Sequence, residues 1–336
     1  MLEARYYQVL SKDIVRCNLC PHYCNLSLEE RGKCGVRKNI DGKLIAENYG
    51  VISSIHLDPI EKKPLYHFYP GASILSIGSV GCNLSCSFCQ NCDISQTTVD
   101  DYPWLRHHSV DQVLSYNDNY SDNLGVAYTY NEPTVYFEFM MDLAMRVKYN
   151  GLKNVMISNG YIAEEPLNQL LELIDAFNID LKAFNNHFYK EFTDAHLKPV
   201  KDNLIRIRKA GKHLEITNLV IPTLNDGVEE FEKMVKWIKQ ELGSDTVLHL
   251  SKYFPAYRFH YPPTPTETIA ELFEISKSYL PYTYTGNLNF LPGQNTYCHN
   301  CALLLIERQR GYITHVKGLN KQGKCKSCGT EIIKNI

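Results

Sequence analysis

Long apolar runs are missing from this chain of 336 residues. No stretch approaches the roughly eighteen uninterrupted apolar residues that a membrane helix needs, so no membrane partner is expected. The N-terminus, MLEARYYQVLSKD, has no basic region leading into an apolar run. A secretory signal is therefore not expected, and a cytoplasmic location is. A strong net charge is missing too: 35 Lys and Arg against 37 Asp and Glu leave −2. No global basic field points to nucleic acid, although a local patch would suffice for an RNA substrate. Low-complexity linkers and heptads are absent. With 44% hydrophobic and 21% charged residues, the composition is that of a globular protein, which excludes long disorder.

What the chain does have is cysteine, 12 of them. In a reducing compartment these are not expected to form structural disulfides, and metal binding is the better default. They fall into three quartets: 17, 20, 24 and 34; 82, 86, 89 and 92; 298, 301, 325 and 328. In the last, Cys298-His-Asn-Cys301 and Cys325-Lys-Ser-Cys328 are CxxC knuckles separated by 23 residues. Each turns two thiolates toward one point, so the pair completes a tetrahedron suited to structural zinc, with an iron–sulfur centre as the alternative. The first quartet, Cys17, Cys20, Cys24 and Cys34, has wider spacing and encloses His22. It reads as a zinc or iron–sulfur site with cysteine rather than histidine ligands.

The middle quartet differs. Cys82, Cys86 and Cys89 form a Cys-x3-Cys-x2-Cys run, by which one loop supplies three thiolates to three irons of a cubane. The fourth iron then stays open for a substrate. Cys92 is either a fourth ligand, which would close the cluster, or a free cysteine; the latter is preferred.

That run resembles the radical S-adenosylmethionine (SAM) superfamily. The resemblance implies a [4Fe-4S] cluster that binds SAM on its open iron and cleaves it reductively to a 5′-deoxyadenosyl radical, which abstracts hydrogen from a substrate. It also implies a flavodoxin- or ferredoxin-type reductant and an α/β fold, a partial (β/α)6 barrel of the TIM type. The sequence has the required alternation. Strand-like runs occur at Ser73–Val80, Gly125–Tyr130, Asn154–Ser158, Ala176–Leu181, His213–Ile221 and Thr246–Phe254. Helix-like segments follow at Val110–Tyr120, Thr134–Tyr149, Glu164–Ile174, Val200–Ala210, Val228–Leu242 and Glu267–Ser278.

Strand ends carry further likenesses. Asn131-Glu132-Pro133 resembles the Gly-Gly-Glu-Pro element whose acid receives the amino group of SAM, with Tyr130 and Asn131 in the glycine positions. Ser158-Asn159-Gly160 and Asp180-Leu-Lys182 resemble elements of glycyl-radical activating enzymes. Asp180 and Lys182, two apart, share a face, and Lys182 is expected to pair with the methionine carboxylate. His249, on the sixth strand, is a candidate for the ribose or adenine. Glu132, Asn159, Gly160, Asp180, Lys182 and His249 are thus the expected cofactor-binding residues.

A narrower resemblance spans nearly the whole chain. It is carried by Cys20-Pro-His-Tyr-Cys24, Gly32-Lys-Cys34-Gly-Val-Arg37, Asp58-Pro-Ile-Glu-Lys-Lys-Pro-Leu-Tyr-His67-Phe, Gly81 to Asn91, Ile94-Ser-Gln96, Tyr128 to Pro133 and Leu250 to Pro255. These look like the radical enzyme of the AmmeMemoRadiSam group, itself similar to pyruvate formate-lyase activating enzymes. Two alternatives stay open: an activase for a glycyl-radical enzyme, and a non-catalytic iron–sulfur electron-transfer or scaffold protein. The substrate, whether protein, nucleic acid or small molecule, is not named by the sequence.

Three modules are expected: a Cys-rich metal and strand module over 1–70, the barrel over 71–280, and a zinc-ribbon-like module over 281–336. The segment from Asp58 to Pro64 reads as a loop over the barrel mouth or a solvated connector. Arg308, Arg310, His315, Lys317, Lys321, Lys324 and Lys326 make the tail locally basic.

Overall fold

A computed structural model describes residues 2–102, 104–118, 122–288, 291–309 and 313–336. Its centre is an eight-stranded sheet whose strands lie side by side in chain order. They are β1 (Ser54–Pro59), β2 (Ser73–Gly78), β3 (Asn123–Tyr128), β4 (Lys153–Ser158), β5 (Ala176–Asp180), β6 (His213–Val220), β7 (Val247–Lys252) and β8 (Thr283–Gly286). β1 pairs antiparallel with β2, and every later pair is parallel. Among the described residues β1 and β8 form no ladder with each other, so the sheet is open.

Helices connect the parallel strands: α1 (Val110–Asp118), α2 (Phe137–Tyr149), α3 (Glu164–Leu171), α4 (Asn186–Thr193), α5 (Leu197–Lys209), α6 (Val228–Leu242) and α7 (Thr266–Lys277). Gly151 after α2 and Gly211 after α5 take φ of +75° and +70°, as expected of C-terminal caps. The alternation of side chains along each strand decides what each face meets. Leu75, Ile77, Val126, Met156, Phe177, Ile216 and Leu248 join the large core that includes helix residues Phe139, Leu143, Leu170, Leu204 and Ile238. On the opposite face, Ile74, Ala127, Val155 and Ala176 pack with Ile60, Leu65 and Phe68.

All six expected strands and six expected helices form, with ends shifted by a few residues. The sequence reading missed β8 and α4. β8 is four residues long and reads TYTG, too short for a clear period. The sheet therefore runs past residue 280 and, through β1, begins before residue 71. The Tyr120 end of the first expected helix and Arg310 lie outside the described residues.

The segment after β1 is neither a lid on the mouth nor a solvated connector. Asp58 stands opposite Ile74, near the start of β2. From there residues 60–69 fill the inner face at the strands' N-terminal ends. Asn178 Nδ2 donates to Pro64 O at 2.7 Å, and Glu215 accepts the amides of Tyr66 and His67 at 2.9 and 2.7 Å. The C-terminal module seals this plug. Arg308, only 2% exposed, stacks 4.1 Å over the Tyr66 ring and donates to Tyr66 O at 2.7 Å. Arg308 thus belongs to the interior rather than to a basic surface.

Candidate active site

β2 ends at Gly78, and the chain turns through Ser79, Val80 and Gly81 into the middle cysteine loop. Asn131 holds that turn: its Oδ1 accepts Ser79 N at 2.9 Å and its Nδ2 donates to Gly81 O at 2.8 Å. Tyr130 keeps the left-handed backbone of a glycine position, with φ of +69°. Such a conformation costs a side chain roughly 1–2 kcal/mol. It is offset by the phenol, which donates to Asp58 at 2.6 Å, and by Lys63, 4.5 Å above the ring.

Cys82, Cys86 and Cys89 lie in one loop, tied to α4 by Ser85 N to Thr193 O and Ser87 N to Phe192 O, both at 3.0 Å. The amide of Leu84 donates to Cys82 Sγ at 3.4 Å, and Asn159 Nδ2 approaches the same sulfur at 3.8 Å. Burial pushes the Cys86 thiol up to about 12, against the pull of Lys182. Burial, with the Glu132 charge added, raises Cys82 well above the ordinary range. Such thiols become thiolates only with a cation or metal beside them. The donor set, three thiols in one buried loop with an amide already aimed at one sulfur, fits a cluster bound through three irons. Cys92 opens a single helical turn, Cys92–Ser95, and its sulfur faces Asp93 Oδ1 at 3.7 Å.

Glu132, 3% exposed, sits just beyond β3 and caps the turn Pro133–Tyr136. Its Oε1 accepts Thr134 N, Thr134 Oγ1 and Ser158 Oγ at 3.0, 2.6 and 2.8 Å. Its Oε2 accepts Asn159 N at 2.8 Å. Burial raises its pKa, and the Thr134, Asn159 and Ser158 donors pull it back. Among the described residues no Lys, Arg or His forms an ion pair with it. Asn159 also donates to Asn83 Oδ1 at 2.9 Å, and Gly160 turns the chain with φ of +70°. Two strand ends and the cysteine loop thereby form one hydrogen-bonded unit. Sequence reasoning missed Asn83 and Thr134, each within two residues of a residue it named, and quoted Ser158 within its element without giving it a role.

Asp180 closes β5, and its Oδ2 accepts Lys182 Nζ at 2.9 Å. Burial alone would lower the Lys182 pKa, but the charges of Asp180 and Cys86 raise it above the ordinary lysine value. The ammonium lies 5.9 Å from the Phe88 ring, between Cys86 and Cys89 in sequence. Lys182 is thus brought to the cysteine loop together with Glu132 and Asn159.

His249 is held elsewhere. Its Nε2 faces Glu215 Oε2 at 2.6 Å, and its ring packs against Tyr66 and Tyr284. Glu215 is fully buried and also meets His213 Nε2 at 2.9 Å. This unit sits toward the N-terminal ends of β6 and β7, with the plug. It is a satisfied core histidine, and spacing alone could not show that, because His249 faces inward in either role.

Of the two outer quartets, the C-terminal one is the tighter. Cys298 and Cys328 sulfurs lie 3.5 Å apart and Cys301 and Cys325 sulfurs 3.6 Å apart. All four atoms lie within 4.8 Å of one another, as befits one metal ion. The knuckles are built alike, with Ala302 N to Cys298 O and Gly329 N to Cys325 O both at 2.9 Å. Near the N-terminus, Cys17, Cys20, Cys24 and Cys34 line one pocket. His22 lines it too, but its Nε2 is taken by Asn83 O at 2.7 Å.

Residues 76–238 match the family described as the Radical SAM superfamily. An uncharacterized protein of Methanocaldococcus jannaschii is 42% identical over 337 residues, covering 99% of each chain. A pyruvate formate-lyase-activating enzyme of Clostridium pasteurianum is 24% identical over 160 residues, 47% of this chain and 66% of its own. In fold, the chain resembles Streptococcus suis SuiB bound to S-adenosylmethionine, with a TM-score of 0.52 and 14% identity over 68% of this chain and 53% of that one. No helix is long and apolar enough to cross a membrane among the described residues.

Proposed function

This chain belongs to the radical SAM superfamily, and on that premise we propose that it cleaves S-adenosylmethionine at Cys82, Cys86 and Cys89 to start hydrogen abstraction from a substrate. The observation that carries the reading is Glu132: a buried carboxylate with four donors and no cationic partner among the described residues. A buried carboxylate of this kind is completed by an ammonium ion.

Cys82, Cys86 and Cys89 would hold a [4Fe-4S] cluster. When bound, that cluster with SAM supplies one-electron cleavage of the sulfonium, releasing a 5′-deoxyadenosyl radical. The residues of the chain do the positioning. Oε1 of Glu132 is saturated by three donors, so Oε2 is the oxygen left to accept the methionine ammonium. Lys182 would pair with the methionine carboxylate, and Asp180 would fix the direction of its ammonium. Asn159 would steady the Cys82 sulfur and the turn at Gly160. His249 has no part in this reading. The sheet would curl as an open partial barrel whose plugged end excludes water behind the reaction.

The C-terminal quartet would hold structural zinc, since four thiolates leave no open position. An external one-electron reductant of flavodoxin or ferredoxin type would be needed. The relatives named as activating enzymes match about half of this chain. This chain also carries two further cysteine quartets and the plug, which favours a substrate other than a glycyl-radical enzyme.

The test is anaerobic. The protein is reconstituted with iron and sulfide, reduced with dithionite and given SAM. 5′-Deoxyadenosine is expected. None from a preparation carrying the full cluster would overturn the proposal.

A further inference from the structure

The N-terminal quartet is built differently from the C-terminal one. In a zinc tetrathiolate every sulfur lies about 2.3 Å from one ion, so any two sulfurs are about 3.8 Å apart. Cys298 to Cys328 and Cys301 to Cys325 meet that spacing at 3.5 and 3.6 Å. Among the described residues, the metal-sized group whose ligand atoms all lie within 4.8 Å of one another is the C-terminal four. The N-terminal four nevertheless surround one space. They line a single pocket, and a Cβ placed on Gly32 would lie 3.8 Å from the sulfurs of both Cys24 and Cys34. Sulfurs that share a pocket without converging on a point suit a cubane, in which each thiolate binds its own iron.

A second observation points the same way. Arg37 lines this pocket and is 1% exposed. Its outer nitrogens reach Arg5 O and Glu138, yet its Nε has no hydrogen-bond partner among the described residues. A buried N–H donor without an acceptor is costly, roughly 1–3 kcal/mol. The sulfides and thiolates of a cluster would be its acceptors.

The pocket also adjoins the middle cysteine loop. A Cβ on Gly81 would lie 2.6 Å from Cys34 O, so the two loops touch beside Cys82. Asn83 lines the pocket, accepts from His22 through its backbone carbonyl, and accepts Asn159 through its side chain.

We infer that Cys17, Cys20, Cys24 and Cys34 hold a second [4Fe-4S] cluster, fully ligated by cysteine and packed against the loop that carries Cys82. The inference does not depend on the reading of Cys82, Cys86 and Cys89, because its test removes them.

The full-length Cys82→Ala/Cys86→Ala/Cys89→Ala variant is reconstituted anaerobically with iron and sulfide in the presence of zinc. About four irons and four sulfides per chain are expected to remain, with a spin-half signal by electron paramagnetic resonance after reduction. Adding Cys20→Ser and Cys24→Ser is expected to remove both iron and signal while the C-terminal zinc stays. Two zinc ions and no iron in the triple variant would overturn the inference, as would iron that survives the two further substitutions.

Discussion

The Glu132 carboxylate and the Asn159 amide meet at 2.8 Å, which locks the end of β3 to the end of β4. Asn159 in turn reaches Cys82 and Asn83. One buried charge therefore sets the relative position of two strand ends and the cysteine loop.

Glu132→Gln keeps the shape and one of the two acceptor oxygens but removes the charge. SAM should bind about 10- to 100-fold more weakly, the worth of a charge-assisted hydrogen bond of about 1.5–3 kcal/mol. Iron content should stay at the wild-type level. Titration calorimetry on the reconstituted protein measures the first and iron analysis the second. Unchanged affinity would remove Glu132 from the SAM site.

Cys86→Ala and Cys92→Ala should separate cleanly. The first should abolish 5′-deoxyadenosine formation. The second should retain most of it, because the Cys92 sulfur faces Asp93 on a separate helical turn. Product quantified by chromatography decides, and loss of activity in Cys92→Ala would make it a ligand.

Arg308→Met should loosen the C-terminal module from the plug. The guanidinium holds Tyr66 O, Gln294 O and Thr296 Oγ1 and covers two aromatic rings. A destabilisation of about 2–4 kcal/mol is expected, with faster loss to a chelator of any metal held by the C-terminal cysteines. Arg308→Lys should recover only part, since an ammonium cannot reproduce the planar fork. Thermal melting and metal release rates are the measurements.

His67 should make the fold acid-sensitive. Burial lowers its pKa to about 3, with Arg308, His213 and His249 adding to the shift and Glu215 opposing it. In the unfolded chain a histidine binds its proton near pH 6.5. Below that pH the unfolded state holds a proton that the folded state lacks. Stability therefore falls as pH drops from about 6.5 toward 3, by up to about 1.4 kcal/mol per pH unit. His67→Phe should melt with a shallower dependence on pH over this window. Both proteins keep the same metal sites, so the difference in slope isolates His67. Equal slopes would contradict the assignment.

Much of this protein was legible in its residues because the signals are local. Three thiolates within eight residues, Cys82 to Cys89, specify a single loop whatever surrounds it. Two CxxC knuckles specify two tight turns. Six strand and helix runs show their own periods, and Glu132, Asn159 and Lys182 announce themselves as polar groups at strand ends.

Only the tertiary structure decided the rest, because those outcomes depend on contacts between residues far apart in sequence. His249 faces inward in either role, and its fate was set by Glu215, 34 positions away. The segment after Asp58 is polar and reads as solvent-facing, yet it fills the sheet because Glu215 accepts its amides across 148 and 149 positions. Arg308 looks like surface charge until Tyr66, 242 positions away, covers it. The same holds for the outer quartets. Spacing in the chain establishes that four sulfurs can meet, but how far apart they stand depends on the packing around them. That packing leaves the C-terminal four tight enough for one ion and the N-terminal four spread around a pocket beside Cys82.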